Sequence, residues 1–104
     1  EAAALAMRAG IDAARIPEAL AGGRADSLPL QQFFPKMVAG DFFVEARIRT
    51  MLKDLDTVLA LARETTTAMP MTAMALELHR LMVQRGHGDE DGTALATLYI
   101  ETPV

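Results

Sequence analysis

The stretch VEARIRTMLKDLDTVLALARE, residues 44–64, sets Ile48, Met51, Leu52, Leu55, Val58 (or Leu59) and Ala62 at three- and four-residue intervals. That spacing collects apolar side chains on one side of a helix. Arg49, Lys53, Asp56 and Arg63 fall on the other side. A helix of about 20 residues spans roughly 30 Å, the width of a small domain. It is expected to run from about residue 44 to 64 and to serve as the central rod of the fold. Thr65, Thr66 and Thr67 follow; they are β-branched and disfavour continuation.

The same period continues on both sides. Downstream, Pro70 suits the first turn of a new helix, with Met71, Met74, Ala75, Leu78, Leu81 and Met82 as its buried face and Gly86 and Gly88 as its stop. Asp89 or Asp91 can then cap a last helix through Thr93, Leu95, Leu98 and Ile100. Upstream, Asp26 or Ser27 precedes Pro29 and an apolar set from Leu28 to Val38, which Pro35 is expected to split into two short pieces. Residues 11–23 hold another short helix, with Pro17 in its first turn. The opening EAAALAMRAG is a strong helix former that stops at Gly10 but has no cap at its start, as the end of a longer helix would. No useful period-two alternation occurs. The expected fold is all-α, about six helices with one long central helix.

Composition narrows the function. The chain has 104 residues, 51% of them apolar and 23% charged, which is enough for one packed domain. Net charge of −4 and a pI near 5.0 repel nucleic acid and anionic membrane surfaces, and Arg24 and Lys36 make too small a basic face for a DNA-reading helix. No run of about 18 uncharged apolar residues occurs, the length a membrane span needs. Without cysteine there is no disulfide, no zinc–thiolate site and no thiol nucleophile, which suits a reducing compartment. His79 and His87 are read as rim or surface side chains without a ligand partner at metal spacing, and the run Asp89–Glu90–Asp91 lacks the oxygen spacing of a calcium loop; no metal is expected. No glycine-rich phosphate loop is present. Lys53–Asp54 remains: an ammonium on a rigid helix can place one charge on a ligand, although such pairs are also common on solvated helix faces.

AMRAGID, LAGGRADS, FFPKMVAGDFF, MLKDL, MPMTAMALELHRLMVQRGHGDED and TAL stand here in order. In sequence and spacing they resemble the C-terminal domain of the β-hydroxyacid dehydrogenases, the group of 3-hydroxyisobutyrate dehydrogenase and tartronate semialdehyde reductase. The resemblance covers nearly the whole chain. It implies a fold like the C-terminal domain of 6-phosphogluconate dehydrogenase. It also implies a two-domain, cytoplasmic oxidoreductase in which an N-terminal Rossmann domain of the same protein holds NAD or NADP. Residues 1–9 would be the end of the interdomain helix, and residues 11–104 the helical domain covering substrate and cofactor. Lys53, with Asp54 beside it, would contact the cofactor near its nicotinamide. The substrate would be a small hydroxy acid and the assembly a homo-oligomer. The family's catalytic lysine lies upstream of Glu1, so these residues alone are expected to be inactive. Two departures matter. The aromatic residue that often lines the family's substrate pocket eight positions before the Asp of the Lys-Asp-Leu is Ala46 here, and the Phe frequent after the second Asp of the family's Gly-x-Gly-Asp-x-Asp turn, here Gly86–Asp91, is Gly92.

Overall fold

The computed structural model describes residues 1–101, which are helical, with one isolated β-bridge and no strand among them. The elements are α1 (Ala2–Arg8), a 3-10 turn (Ala13–Arg15) running into α2 (Ile16–Leu20), α3 (Leu28–Ala39), α4 (Ile48–Thr65), α5 (Pro70–Gln84) and a 3-10 segment (Gly92–Leu98). The described residues form two compact units, one comprising residues 1–42 with residues 96–101, the other Phe43–Leu95.

In the first unit α1 packs on α3 and on the 3-10 turn, burying Ala3, Ala6 and Ala13. Small side chains at three-residue spacing let helix backbones approach closely. Gly10 ends α1 in the left-handed region (φ 76°), which frees the Ile11 and Gly10 amides to reach back to Ala6 and Met7. Asp12 caps the 3-10 turn through the Ala14 amide, and Pro17 is buried in the first turn of α2. Ser27 caps α3, its hydroxyl accepting from the Leu30 amide at 3.1 Å. Contrary to the expectation, α3 runs unbroken through Pro35. The ring forbids one hydrogen bond, the one residue 35 would donate to the Gln31 carbonyl, and tolerates helical φ.

The second unit is built on α4 and α5, which are joined by residues 66–69 and pack on each other. The buried and half-buried side of α4 is Ile48, Leu52, Leu55, Leu59 and Ala62, so Leu59 rather than Val58 faces inward. Met51, Val58 and Leu61 stay exposed (46%, 43% and 60%). On α5 the expected face holds for Met82, which is buried, and for Ala75, Leu78 and Leu81, which are half-buried, whereas Met71 and Met74 are exposed and Leu76 is buried in addition. The segment PMTAMALELHRLMV is apolar nearly all round, so its period does not select one face. Helix α4 stops at Thr65 with Thr66 left-handed (φ 53°), which lets the Thr67 amide reach the Ala62 carbonyl at 2.9 Å. A β-branched residue there costs about 1 kcal/mol or more.

The helix also begins later than expected, at Ile48. Residues 45–49 are gripped instead by the turn after α5. The Ile48 amide donates to the Glu90 carbonyl (2.9 Å), the Arg49 amide to Gly88 (2.8 Å), and the Gly92 amide returns to the Ala46 carbonyl (2.9 Å). The Ile48 and Arg49 amides, which have no acceptor inside the first turn, are satisfied there, while the Ala46 carbonyl is spent on Gly92, so the helix begins only at Ile48. The final segment, expected as a helix through Ile100, is 3-10 over Gly92–Leu98, with the Ile100 amide donating to Ala96.

Candidate functional site

Lys53 and Asp54 sit in the second turn of α4, whose first residue, Ile48, is completely buried and anchors the helix. The anchored helix fixes where residue 53 leaves the surface. Lys53 Nζ lies 3.5 Å from Asp54 Oδ1, and both side chains face solvent (72% and 58% exposed). In water such a pair contributes about 0–1 kcal/mol, so holding the fold together does not require it. The Lys53 carbonyl accepts from the Thr57 hydroxyl one turn on (2.9 Å). Beyond it, Asp56 pairs with Arg80 of α5 at 3.8 Å, and Arg80 also pairs with Glu77.

Ala46, the third expected site residue, is exposed in the segment leading into α4. Its hydrogen bonds go to Asp91 and Gly92 and not to Lys53 or Asp54. The structure thus joins Lys53 with Asp54 and leaves Ala46 on a separate stretch of backbone, two residues ahead of α4. An apolar hollow of about 710 Å³ lies at the other end of α4, lined by Leu59, Ala62, Thr66, Met69 and Ala73; none of the three expected residues belongs to it.

Asp91 is the group that sequence reasoning undervalued. It was expected only as a helix cap, and it does cap the last segment: Oδ2 accepts from the Thr93 amide (2.9 Å) and the Thr93 hydroxyl (2.5 Å). Oδ1 accepts in addition from the amides of Glu45 (2.8 Å) and Ala46 (3.0 Å), more than forty positions away. The side chain is almost wholly buried, at 5% exposure. Burial raises its pKa, but the donors of Ala46, Thr93 and Glu45 outweigh that and hold the carboxyl well below the ordinary aspartate range. The local signal was the Asp-x-Thr spacing; the partners at 45 and 46 leave no local trace.

Around Asp91 the turn is compact. A Cβ at Gly88 would come within 2.7 Å of Arg49 Nη2, so only glycine lets the Arg49 side chain lie across it toward Asp89 (Nε–Oδ1 3.4 Å). His87 Nδ1 lies 2.9 Å from Glu90 Oε2, three residues on, a carboxylate partner the sequence reading overlooked. His79 Nδ1 is bonded to the Ala75 carbonyl at 2.7 Å. Among the described residues no group of three His, Asp or Glu is placed to hold a metal ion, and no helix is long and apolar enough to cross a membrane.

The donor set of the exposed pair is one ammonium and one carboxylate. That suits one polar edge of a nucleotide, such as a carboxamide, a ribose hydroxyl or a phosphate oxygen, and fits a contributing role. It is too small to hold a dinucleotide alone.

Comparison with known proteins gives the family. The family profile described as NAD-binding of NADP-dependent 3-hydroxyisobutyrate dehydrogenase matches residues 1–99. L-threonate dehydrogenase of Cupriavidus necator is 29% identical over 105 residues, covering 99% of this chain and 35% of that protein. The 2-hydroxy-3-oxopropionate reductase of Escherichia coli is 33% identical over 95 residues, covering 91% of this chain and 32% of its own length. A crystal structure of 3-hydroxyisobutyrate dehydrogenase from Salmonella typhimurium superposes with a TM-score of 0.85 at 26% identity, covering 94% of this chain and 34% of that one. The chain therefore spans about a third of the length of these relatives.

Proposed function

Because this chain belongs to the NAD-binding family of NADP-dependent 3-hydroxyisobutyrate dehydrogenase, we propose that it is the all-α part of a two-domain, NAD(P)-dependent 3-hydroxyacid dehydrogenase. In this reading residues 1–9 end the helix that joins it to an N-terminal Rossmann domain of the same protein, in the cytoplasm. Bound there, the nicotinamide supplies hydride transfer to or from the carbon bearing the hydroxyl of a small hydroxy acid. The residues of this chain bind and orient. Lys53 holds a fixed positive charge against the cofactor, Asp54 aims the ammonium, and the exposed stretch at Ala46 forms one wall of the substrate space. Alanine there leaves a roomier wall than an aromatic side chain would. The catalytic lysine belongs to the partner domain, so these residues alone have no turnover.

The observation that carries the reading is Lys53 itself. A lysine so exposed on an anchored helix, with one weak ion pair, has its charge available for a ligand at little cost in stability. Replacing Lys53 by alanine in the two-domain protein is expected to weaken binding of the reduced cofactor about tenfold and to lower kcat/KM by ~10- to 100-fold, with Tm changed little. Cofactor fluorescence titration and steady-state kinetics read both. Unchanged affinity and turnover would count against the proposal.

A second reading is a helical module that assembles copies of the chain without catalysis of its own. It has in its favour the apolar side chains left in solvent: Leu5 on α1 (72% exposed) and Met51, Val58 and Leu61 on α4. Homo-oligomerisation is compatible with the dehydrogenase reading. A chain that only assembles would leave Lys53→Ala silent, so the same experiment separates the two.

A further inference from the structure

Asp91 gathers four donors on one buried carboxylate, and two of them belong to the segment that leads into α4. Two neighbouring amides of one strand of backbone, at 45 and 46, converge on a single oxygen. That geometry fixes both the height and the rotation of the Ala46 peptide. The β-bridge between Arg47 and Asp91, and the Gly92 amide on the Ala46 carbonyl, close the same clasp from the backbone side. Ala46 thus has both of its backbone polar groups committed while its side chain remains in solvent. A stretch held rigid by a buried charge, yet presenting an exposed surface, is what a ligand wall needs. Preorganised backbone does not have to be ordered at the moment of binding.

We infer that Asp91 is a positioning residue, which acts through the Glu45 and Ala46 amides to hold the substrate-side wall at Ala46 in place. The inference rests on the proposed dehydrogenase reading for what the wall touches, but not for the existence of the clasp. Asp91 itself touches no substrate. Its influence travels through two hydrogen bonds and ends at the surface of residue 46.

The test uses Asp91→Asn in the two-domain protein. Asparagine keeps volume and one acceptor but puts an NH2 where a second oxygen accepts. Thr93→Val, which removes only the hydroxyl donor, serves as a milder second variant. Hydrogen exchange is expected to quicken about tenfold or more at the Glu45 and Ala46 amides in Asp91→Asn, while amides in the middle of α4 and α5 keep their protection. KM for the hydroxy acid is expected to rise about five- to tenfold with kcat and cofactor affinity near wild type. Thr93→Val should move both readings the same way and less, with Thr93→Ser restoring them. Unchanged exchange at residues 45 and 46 would overturn the clasp. Faster exchange with unchanged KM, or a loss of kcat alone through a smaller folded fraction, would overturn the positioning role. Lys53→Ala reads cofactor affinity and Asp91→Asn reads substrate KM, so failure of the dehydrogenase reading and failure of this inference are told apart.

Discussion

Asp91→Ala is expected to destabilise the fold by about 3 kcal/mol, since hydrogen bonds to a charged acceptor contribute about 1.5–3 kcal/mol each and water replaces only some of them. Four donors lose their acceptor: the amides of Glu45, Ala46 and Thr93 and the Thr93 hydroxyl. Glu45 and Ala46 are exposed, so their amides turn to water at modest cost. Thr93 is buried (4% exposed), and its two donors are left without a partner. That half of the cluster should dominate the loss. The same carboxylate gives the stability a pH signature. Its folded pKa lies below its unfolded one, near 3.9. The stabilisation is therefore fully present above about pH 4 and is lost as pH falls toward the folded value. Urea midpoints between pH 7 and pH 2 should show a steep acid limb for the wild type and a flatter one for Asp91→Asn. Parallel acid limbs would mean that Asp91 is no more strongly held in the folded state than in the unfolded chain.

Ile48→Ala is the second large effect. Ile48 is completely buried, and truncating a buried Ile costs about 2–5 kcal/mol, the lost transfer energy plus the cavity left behind. A loss of about 3 kcal/mol lowers Tm by roughly 12–20 °C in a domain of this size. Met51→Ala, one turn on and 46% exposed, should stay within about 0.5 kcal/mol. Calorimetry on the two variants discriminates sharply, because the apolar spacing alone treats the two positions as equivalent. Equal losses would mean that the face of α4 is set as the period suggests and not as the structure has it.

These two positions also mark what could be read from the sequence. The period of residues 48–62 specified a helix with Lys53 on its solvent side, because packing energy follows apolar spacing. It did not specify the register within one residue: Val58 and Leu59 are equally apolar, and only the packed partner α5 selects Leu59. Helix α4 starts four residues later than the period suggests, since the Glu45 and Ala46 amides are claimed by the Asp91 carboxylate and the Ala46 carbonyl by the Gly92 amide, far off in sequence. Pro35 was given too much power, because a single deleted hydrogen bond on an exposed side does not end a helix. Capping was legible where it is local, as at Ser27 and Gly10. The site divides in the same way. Lys53 and Asp54 are neighbours on one helix and could be picked out, with family resemblance supplying their role. Asp91 owes its importance to contacts more than forty positions distant, which no local pattern announces.

Under the proposed function the Lys53 ammonium, exposed beside Asp54 on this chain, meets the cofactor in the two-domain enzyme. Lys36 is the other lysine of the chain and provides a built-in reference. Brief acylation of the two-domain protein, with peptide mass spectrometry of both lysines, reads the claim directly when done with and without saturating NADP or NAD. Modification of Lys53 is expected to drop severalfold when cofactor is bound, while Lys36 reacts at the same rate in both samples. Equal reactivity of Lys53 with and without bound cofactor would contradict it.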